Sequence, residues 1–320
     1  CYNCFKFYIK MTRIASTHYL LGSRKESLED ICKENPDWNY EKLFSKTGIN
    51  NRHLLQKNET PEDLSYKAAK ICIDNYNNKE IDGVLYVSQS PTNPLPTRAC
   101  LLQNKLGISK NSLAFDINQG CSGFVYSLSI ATSLIKNDLA ERILIICSDH
   151  YSKYIAKSDR TCRPIFSDAA AATIIEKSKN KKIGPFIFKT DGAGGKDLMV
   201  SNKLSKANLY MNGPAVLKFS LDLVPVATQE LLKKASLSKE DVSLFLFHQA
   251  SGVVLNKLKK KLNIEDKKWF VDIQNLGNTV SATIPIAIST LKKTGNFPEN
   301  KNVCLMGFGV GLSVAGCIIN

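Results

Sequence analysis

Short segments that are apolar at nearly every position alternate with helical stretches along the whole 320-residue chain. A strand without polar positions is buried on both faces of its sheet, so helices must cover the sheets from outside. The pattern therefore predicts an α/β fold built of helix and sheet layers. The clearest predicted strands are residues 112–117, 142–147, 172–175, 303–306 and 314–319.

The same order of segments recurs after about half the chain. Residues 79–89 match residues 239–249 at an offset of 160, and residues 115–117 with the helix after them resemble residues 271–273 at an offset of 156. Two similar offsets in the same order indicate a duplicated unit. A charged stretch between the halves predicts an N-terminal lobe at 1–178 and a C-terminal lobe at 179–320. The glycine-rich, polar residues 190–206 predict a long surface loop.

The start of the chain allows two interpretations. Either Met11 is the true first residue, or residues 5–14 form a first strand. The first residues lack the apolar stretch of a signal peptide, and no apolar run reaches the roughly 18 residues that a membrane helix needs. We therefore expect a cytoplasmic protein that does not bind a membrane.

Ten cysteines in 320 residues are too few for a disulfide scaffold. Most of them are single residues within apolar segments, which predicts reduced thiols in the core. Cys1 and Cys4 have a metal-like spacing, but no second Cys or His pair completes a zinc site, so we expect no metal. The cysteines predicted for the core are Cys72, Cys100, Cys147, Cys304 and Cys317.

The formal net charge is +14, but most of the lysines are scattered. A dense patch is formed by Lys257, Lys259, Lys260 and Lys261 together with residues 267–268. It is either a solvated helix face or a docking surface for an acidic partner. No nucleic-acid motif accompanies the charge, so we expect no nucleic-acid partner.

One cysteine has a different setting from the others. Cys121 follows a predicted strand and Gly120, and a helical pattern begins directly after it. The backbone dipoles of a helix N-terminus stabilise a thiolate, so this position predicts a nucleophile. His248 and Asn278 also come at the ends of apolar runs, which predicts that each follows a strand. A Cys, a His and an Asn at three strand ends suit thioester chemistry.

The ordered set of motifs resembles β-ketoacyl-acyl-carrier-protein synthase III, a family of the thiolase superfamily. His248 lies 127 residues after Cys121, and Asn278 lies 30 residues after His248, as in that family. The resemblance implies a thiolase-like αβαβα sandwich of two duplicated lobes, usually a homodimer. The matching segments are residues 47–52, 116–126, 166–171, 248–250, 277–279 and 307–311.

The resemblance also implies roles for the residues at these positions. Cys121 would take an acyl group from an acyl-CoA primer, while the N–H groups of Cys121 and Val310 form an oxyanion hole. His248 and Asn278 would bind the carbonyl oxygen of a malonyl thioester on acyl carrier protein during decarboxylation. Coenzyme A thioester is then a substrate, and no cofactor is bound permanently.

Recognition residues depart from the family pattern more than the chemistry does. Arg160 and Lys46 are the candidate coenzyme A contacts, although Lys46 replaces an arginine and Lys42 replaces a tryptophan that stacks on adenine. Phe166 and Leu95 belong to the acyl pocket; Leu95 replaces a phenylalanine contributed across the dimer. The candidate carrier-docking residues are Lys257, Lys260 and Lys261, since Val253 replaces the family's docking arginine.

Other activities of the same fold stay open at this stage. The main alternative is an acyltransferase that moves the acyl group to an amine or a hydroxyl in a specialised pathway, because the same three residues serve both reactions. A 3-hydroxy-3-methylglutaryl-CoA synthase would need a carboxylate where Gln89 stands. The sequence leaves undecided the primer, the acyl donor, and the choice between housekeeping fatty acid synthesis and a specialised pathway.

Overall fold

The computed structural model describes residues 10–76, 80–201 and 208–320. Its strands are β1 Met11–Leu21, β2 Arg24–Ser27, β3 Asn51–Leu54, β4 Gly83–Val87, β5 Leu113–Ile117, β6 Arg142–Asp149, β7 Ala169–Ser178, β8 Ile183–Thr190, β9 Leu198–Ser201, β10 Asn208–Met211, β11 Val242–Phe247, β12 Asn302–Gly309 and β13 Ser313–Ile319. Its helices are α1 Leu28–Glu34, α2 Tyr40–Thr47, α3 Pro61–Asp74, α4 Arg98–Lys105, α5 Gly123–Lys136, α6 Gly213–Ala235, α7 Gly252–Leu262 and α8 Thr283–Lys293.

Two mixed sheets have the same strand plan. The first sheet has the order β1-β7-β6-β4-β5, and the second has the order β8-β13-β12-β11. The pair β4 and β6 of the first sheet corresponds to the pair β11 and β12 of the second sheet, and both pairs are parallel. The neighbouring strands from there to β1 or β8 are antiparallel in both sheets. The duplication expected from the sequence is thus visible in the topology. Within the described ranges, β5 has no counterpart strand in the second sheet.

The helices form three layers around these sheets. Helices α3 and α4 pack on the outer face of the first sheet, α5 and α8 lie between the sheets, and α6 packs outside the second sheet with α7 beside it. This is the five-layer αβαβα arrangement that the resemblance implied, and the fold-class prediction is confirmed.

One hydrophobic core joins the two halves of the chain. Residues of both sheets and of the middle helices pack together in it, among them Val87, Phe124, Ile145, Ile288 and Leu305. Each such fully buried apolar side chain stabilises the fold by about 1.5–3 kcal/mol. Because this core is shared, the lobe boundaries at 178 and 179 stay a prediction.

The predicted strands at 112–117, 142–147, 172–175, 303–306 and 314–319 are all present. Two other local predictions need correction. The 190–206 stretch is not simply a surface loop, because β9 pairs with β10 and the hairpin buries Leu198 and Leu209. Residues 271–273, which resemble the end of β5 in sequence, form no strand. The Asp272 N–H donates to the Gln249 side chain, and the Ile273 carbonyl accepts from the Gly277 N–H within a turn. Residues 202–206 lie outside the described residues.

The N-terminal and cysteine predictions are only partly covered by the structure. β1 begins at Met11, whereas residues 1–9, including Cys1 and Cys4, lie outside the described residues. The eight described cysteines are free thiols. Cys100 is exposed rather than in the core, because it lies on the outer face of α4 beside the half-exposed Leu101. Within the described ranges, no helix combines the length and the apolar character needed to cross a membrane.

Candidate active site

The turn that carries Cys121 is packed tightly against β12. The side chain of Cys121 is only 6% exposed, two residues before α5 begins. A Cβ atom at Gly307 would lie 2.7 Å from the Cys121 carbonyl oxygen, and one at Gly309 would lie 2.9 Å from the Cys121 Sγ. Only glycine at these two positions lets β12 approach so closely. The approach brings the second half of the chain to the thiol.

The electrostatic setting of Cys121 differs from the sequence expectation. Burial, with a smaller contribution from the Asp149 charge, raises the pKa of the Cys121 thiol to about 12. The backbone N–H groups of Cys121 and Val310 interact with the sulfur and act in the opposite direction. The backbone donors act in the direction that the sequence predicted, but desolvation outweighs them and the thiol pKa is raised. These two N–H groups are the pair that the sequence assigned to the oxyanion hole, and both lie within hydrogen-bonding reach of the sulfur.

His248 follows β11 directly, as the sequence predicted, and is 1% exposed. Its backbone N–H donates to the Met306 carbonyl at 2.8 Å, and its ring meets the Phe308 ring edge-to-face at 5.5 Å. The ring Nδ1 lies 2.7 Å from the Thr283 hydroxyl. Burial lowers the pKa of His248 to about 3, so the imidazole is neutral at pH 7.

Asn278 does not follow a strand, which corrects the expectation of three strand ends. Its backbone N–H donates to the Ile165 carbonyl, and its carbonyl accepts from the Ser167 N–H, both at 2.9 Å. The irregular segment before Asn278 is therefore held by a loop of the first half and not by a sheet.

The carboxamide of Asn278 has a fixed orientation. Its Oδ1 accepts from the Val280 N–H at 2.9 Å, and its Nδ2 donates to the Ala250 carbonyl at 3.2 Å. The same Nδ2 lies 3.4 Å from His248 Nε2. Two nitrogen atoms of different side chains are thus held side by side.

One cavity of about 730 Å³ contains the candidate catalytic groups. Cys121, His248, Asn278 and Val310 all line it, so the structure brings the three separated motifs and the glycine turn together. A cavity of this size suits a small-molecule thioester, and its mostly apolar walls strengthen electrostatic interactions inside it.

The recognition residues predicted from the sequence divide into two groups. Lys46 and Arg160 line the cavity and are exposed, together with Lys42, and Phe166 lines it as a buried side chain. Leu95 is 79% exposed and does not line the cavity of its own chain.

The lysine patch lies on α7, whose first turn contributes Val253 and Val254 to the cavity. Lys257, Lys260 and Lys261 are exposed, and within the described ranges none of them forms an ion pair. Lys259 and Lys267 are different, because they pair with Asp266 and Glu265. The patch is therefore smaller than the sequence suggested.

Sequence reasoning missed two buried residues of this site. Tyr151 lines the cavity, packs on Phe166 with ring centroids 5.3 Å apart and donates to Gln89 Oε1 at 2.9 Å. Thr283 contacts the ring of His248 from the start of α8. Neither residue belongs to a motif or a periodic pattern, so only the tertiary structure identifies it.

Comparison with known proteins agrees with this geometry. The family described as 3-oxoacyl-[acyl-carrier-protein (ACP)] synthase III matches residues 115–192, and its C-terminal part matches residues 232–320. A β-ketoacyl-[acyl-carrier-protein] synthase III of Acholeplasma laidlawii is 37% identical over 301 residues, which cover 92% of this chain and 93% of the relative. One from Lactococcus lactis is 34% identical over 333 residues and covers 98% of this chain and 99% of the relative.

Solved structures give the same result. A crystal structure of a 3-oxoacyl-(acyl-carrier-protein) synthase III superposes with a TM-score of 0.91 at 36% identity, covering 97% of this chain and 99% of the other. The enzyme of that type from Aquifex aeolicus superposes with a TM-score of 0.90 at 30% identity, over 97% of this chain and 99% of the other. From its sequence, its fold and its site, the chain belongs to the 3-oxoacyl-[acyl-carrier-protein] synthase III family of condensing enzymes in the thiolase superfamily.

Proposed function

We propose that the protein condenses an acyl group from coenzyme A with a malonyl group on acyl carrier protein, releasing carbon dioxide. The observation that carries the proposal is the single cavity lined by Cys121, His248, Asn278 and Val310. A transferase of this kind needs a nucleophile and two separate sets of oxygen-binding donors, and these residue types supply both.

In the first step, the sulfur of Cys121 attacks the thioester carbonyl carbon of the acyl-CoA. A new carbon–sulfur bond forms, the bond to the coenzyme A sulfur breaks, and the thiol proton ends on that leaving sulfur. The N–H groups of Cys121 and Val310 donate to the oxyanion that develops during the attack. The same donors offset part of the burial cost of negative charge on the nucleophile.

In the second step, the malonyl thioester places its carbonyl oxygen between His248 and Asn278. Loss of carbon dioxide leaves the bonding electrons on the α-carbon, and the resulting enolate oxygen is stabilised by two N–H donors. The enolate carbon then attacks the acyl group on Cys121. The carbon–sulfur bond breaks, so the products are a 3-oxoacyl thioester and the Cys121 thiolate, which takes a proton from water to restore the thiol.

Exposed cations at the cavity support binding of a phosphate-rich substrate. Lys42, Lys46 and Arg160 line the cavity wall, and we assign them to the phosphates of coenzyme A. Because Lys42 replaces an aromatic residue that stacks on adenine in the family, we propose that this position binds coenzyme A through its charge. Coenzyme A thioester is a substrate in this scheme and not a resident cofactor.

We further propose that the protein is a cytoplasmic homodimer. β5 is the outermost strand of the first sheet, and its Phe115 is 36% exposed, which leaves an apolar edge that a second copy would cover. The exposed Leu95 then reaches the acyl pocket of the second copy.

The competing activity is acyl transfer to an amine or a hydroxyl. Similarity to condensing enzymes over nearly the whole chain favours condensation. The two activities differ in one product, because simple acyl transfer releases no carbon dioxide.

The test is to incubate the purified protein with acetyl-CoA, measure the intact mass, and then add malonyl-acyl carrier protein. We expect an acylated intermediate, followed by carbon dioxide and a 3-oxoacyl product. In the His248→Ala variant, the acylated intermediate should still form, while carbon dioxide release falls on the order of 100- to 1000-fold. An unchanged rate of carbon dioxide release in that variant would refute the role of His248. Transfer of the acyl group without carbon dioxide would support the competing activity.

A further inference from the structure

The hydroxyl group of Thr283 contacts Nδ1 of His248, while the other ring nitrogen, Nε2, lies next to Asn278. Thr283 is 3% exposed and lies at the first position of α8. Its Oγ1 is 2.7 Å from His248 Nδ1 and 3.2 Å from the Val280 carbonyl oxygen. A hydroxyl group has one proton, so it cannot donate fully to both of these acceptors.

The protonation state of His248 makes this choice important. Burial keeps the imidazole neutral at neutral pH, so only one of its two nitrogens bears a proton. If Thr283 donates to Nδ1, the proton of the ring must be on Nε2, which then acts as a donor toward Asn278 and the cavity. If Nδ1 bears the proton instead, Nε2 is an acceptor and cannot bind an enolate oxygen.

Two distances are compatible with the first arrangement, while acceptance from Nδ1–H with donation to the Val280 carbonyl is the competing arrangement. The contact of Thr283 with Nδ1 is 0.5 Å shorter than its contact with the Val280 carbonyl, so we take Nδ1 as the main partner of the hydroxyl. Asn278 Nδ2 and His248 Nε2 are 3.4 Å apart, which is long for a hydrogen bond but suitable for two donors that lie side by side. Asn278 Nδ2 already donates to the Ala250 carbonyl, so its orientation does not depend on accepting or donating at His248.

We propose that Thr283 is a positioning residue that donates to His248 Nδ1 and thereby holds His248 in the Nε2–H form required for decarboxylation. The catalytic consequence of this inference rests on the proposed function, whereas the tautomer of His248 does not. Thr283 does not touch the substrate in this scheme, and it acts only through the ring.

The chain offers well-matched variants for a test. Thr283→Val removes the hydroxyl and keeps the shape, and Thr283→Ser keeps the hydroxyl. Thr228→Val is the control, because Thr228 is 1% exposed and its hydroxyl also donates within a helix, to the Val224 carbonyl at 2.8 Å, outside this cavity. Thr283→Ala serves as the second hydroxyl-free variant if valine disturbs the packing.

The direct measurement is the ¹⁵N spectrum of protein labelled only at histidine, which contains four histidines. We expect the His248 signals of the Nε2–H form in the parent protein, in Thr283→Ser and in Thr228→Val. Thr283→Val and Thr283→Ala should show the Nδ1–H form or a mixture. An Nδ1–H signal in the parent protein, or an unchanged tautomer in both hydroxyl-free variants, would overturn the proposal.

Kinetics separate this role from a merely structural one. Thr283→Val should lower carbon dioxide release about ten-fold, since one buried hydrogen bond is lost, and leave acylation of Cys121 within about two-fold. Thr283→Ser should restore the release rate. Equal loss in both steps, without serine rescue, would contradict a tautomer effect. If the parent protein released no carbon dioxide at all, the proposed function would fail while the spectrum would still decide the tautomer.

Discussion

The turns that present Cys121 and Asn278 occupy corresponding places in the two halves, yet they are built differently. In the first half, β5 continues the sheet as far as Ile117, and α5 begins at Gly123 after a tight turn. In the second half no strand lies between α7 and Asn278, and a short 3₁₀ turn at Val280–Ala282 leads into α8. Duplicated topology therefore does not require duplicated local structure.

The difference follows from what each turn must hold. The thiol of Cys121 needs backbone N–H donors around it, and two glycines of β12 allow that approach. The carboxamide of Asn278 needs a fixed direction, which it obtains from backbone groups of Val280 and Ala250, while Ile165 and Ser167 of the first half hold its main chain. Val280 contributes with φ of 55°, an unusual value for a β-branched residue, and this conformation directs its N–H to Asn278. One turn thus presents a nucleophile and the other presents a donor.

The largest effect is expected from removing the nucleophile of the first turn. Cys121→Ala should abolish acylation by acetyl-CoA and lower product formation by about 10⁴-fold or more, because the covalent route is lost. Intact mass and peptide mapping of the parent protein measure this directly. The label should be on Cys121 and not on the exposed Cys100 or the buried Cys147 and Cys162. A label on one of those three thiols would contradict the assignment.

Removing the donor of the second turn should affect only the second step. Asn278→Ala should still acylate Cys121, while carbon dioxide release falls on the order of 100- to 1000-fold. Asn275→Ala is the matched control, since Asn275 lies in the same segment, is exposed and bonds through its Oδ1 to Asn51. Single-turnover assays of both variants measure the two steps separately. Equal loss of acylation and release in Asn278→Ala would show that the two turns do not divide the chemistry.

The comparison of the turns also shows what the sequence can predict. Cys121 was identifiable because a strand, a glycine and a helix are all local patterns, and the layered fold followed from the doubly buried strands. The support of Asn278 comes from Ile165, Ser167 and Ala250, which are distant in the chain. The raised pKa of Cys121 and the contact of Thr283 depend on burial, which one sequence does not reveal. These three features depend on long-range packing, which local sequence patterns do not show.

A smaller effect is expected from changing the charges on the helices that follow the corresponding strands β4 and β11. On α4, Arg98 pairs with Glu62 and Lys105 pairs with Asp63. On α7, Lys257, Lys260 and Lys261 form no such ion pair within the part of the chain that the structure describes, although the pKa of Asp222 is lowered by Lys218 and, to a smaller extent, by the nearby Lys261. Exposed cations near the cavity that form no direct ion pair suit an acidic carrier protein.

Reversal of these three lysines to glutamate should raise the KM for malonyl-acyl carrier protein about ten-fold at low salt, and less at high salt because salt screens exposed charges. Turnover of a small malonyl thioester should change little. Reversal of Lys57, Lys67 and Lys110, which are exposed in the first half, gives the same change of net charge as a control. Equal effects of both triple variants would mean that net charge matters and the patch does not.

The smallest expected effect is the pH dependence of the acylation step, which should be nearly flat between about pH 5 and pH 9. The pKa of His248 is lowered to about 3, so the ring is neutral above that pH, and the pKa of Cys121 is raised to about 12, so the thiol stays protonated below it. Neither group titrates in this window, and the thiol proton passes within the site to the leaving sulfur, so the acylation rate does not depend on proton loss to solvent. A rate that rises about ten-fold per pH unit would mean that the reactive thiolate forms by proton loss to solvent. Stopped mixing with acetyl-CoA followed by intact mass measures the rate at each pH. A bell-shaped profile within the window would instead indicate a thiolate–imidazolium pair, and would mean that the backbone donors at the first turn outweigh burial.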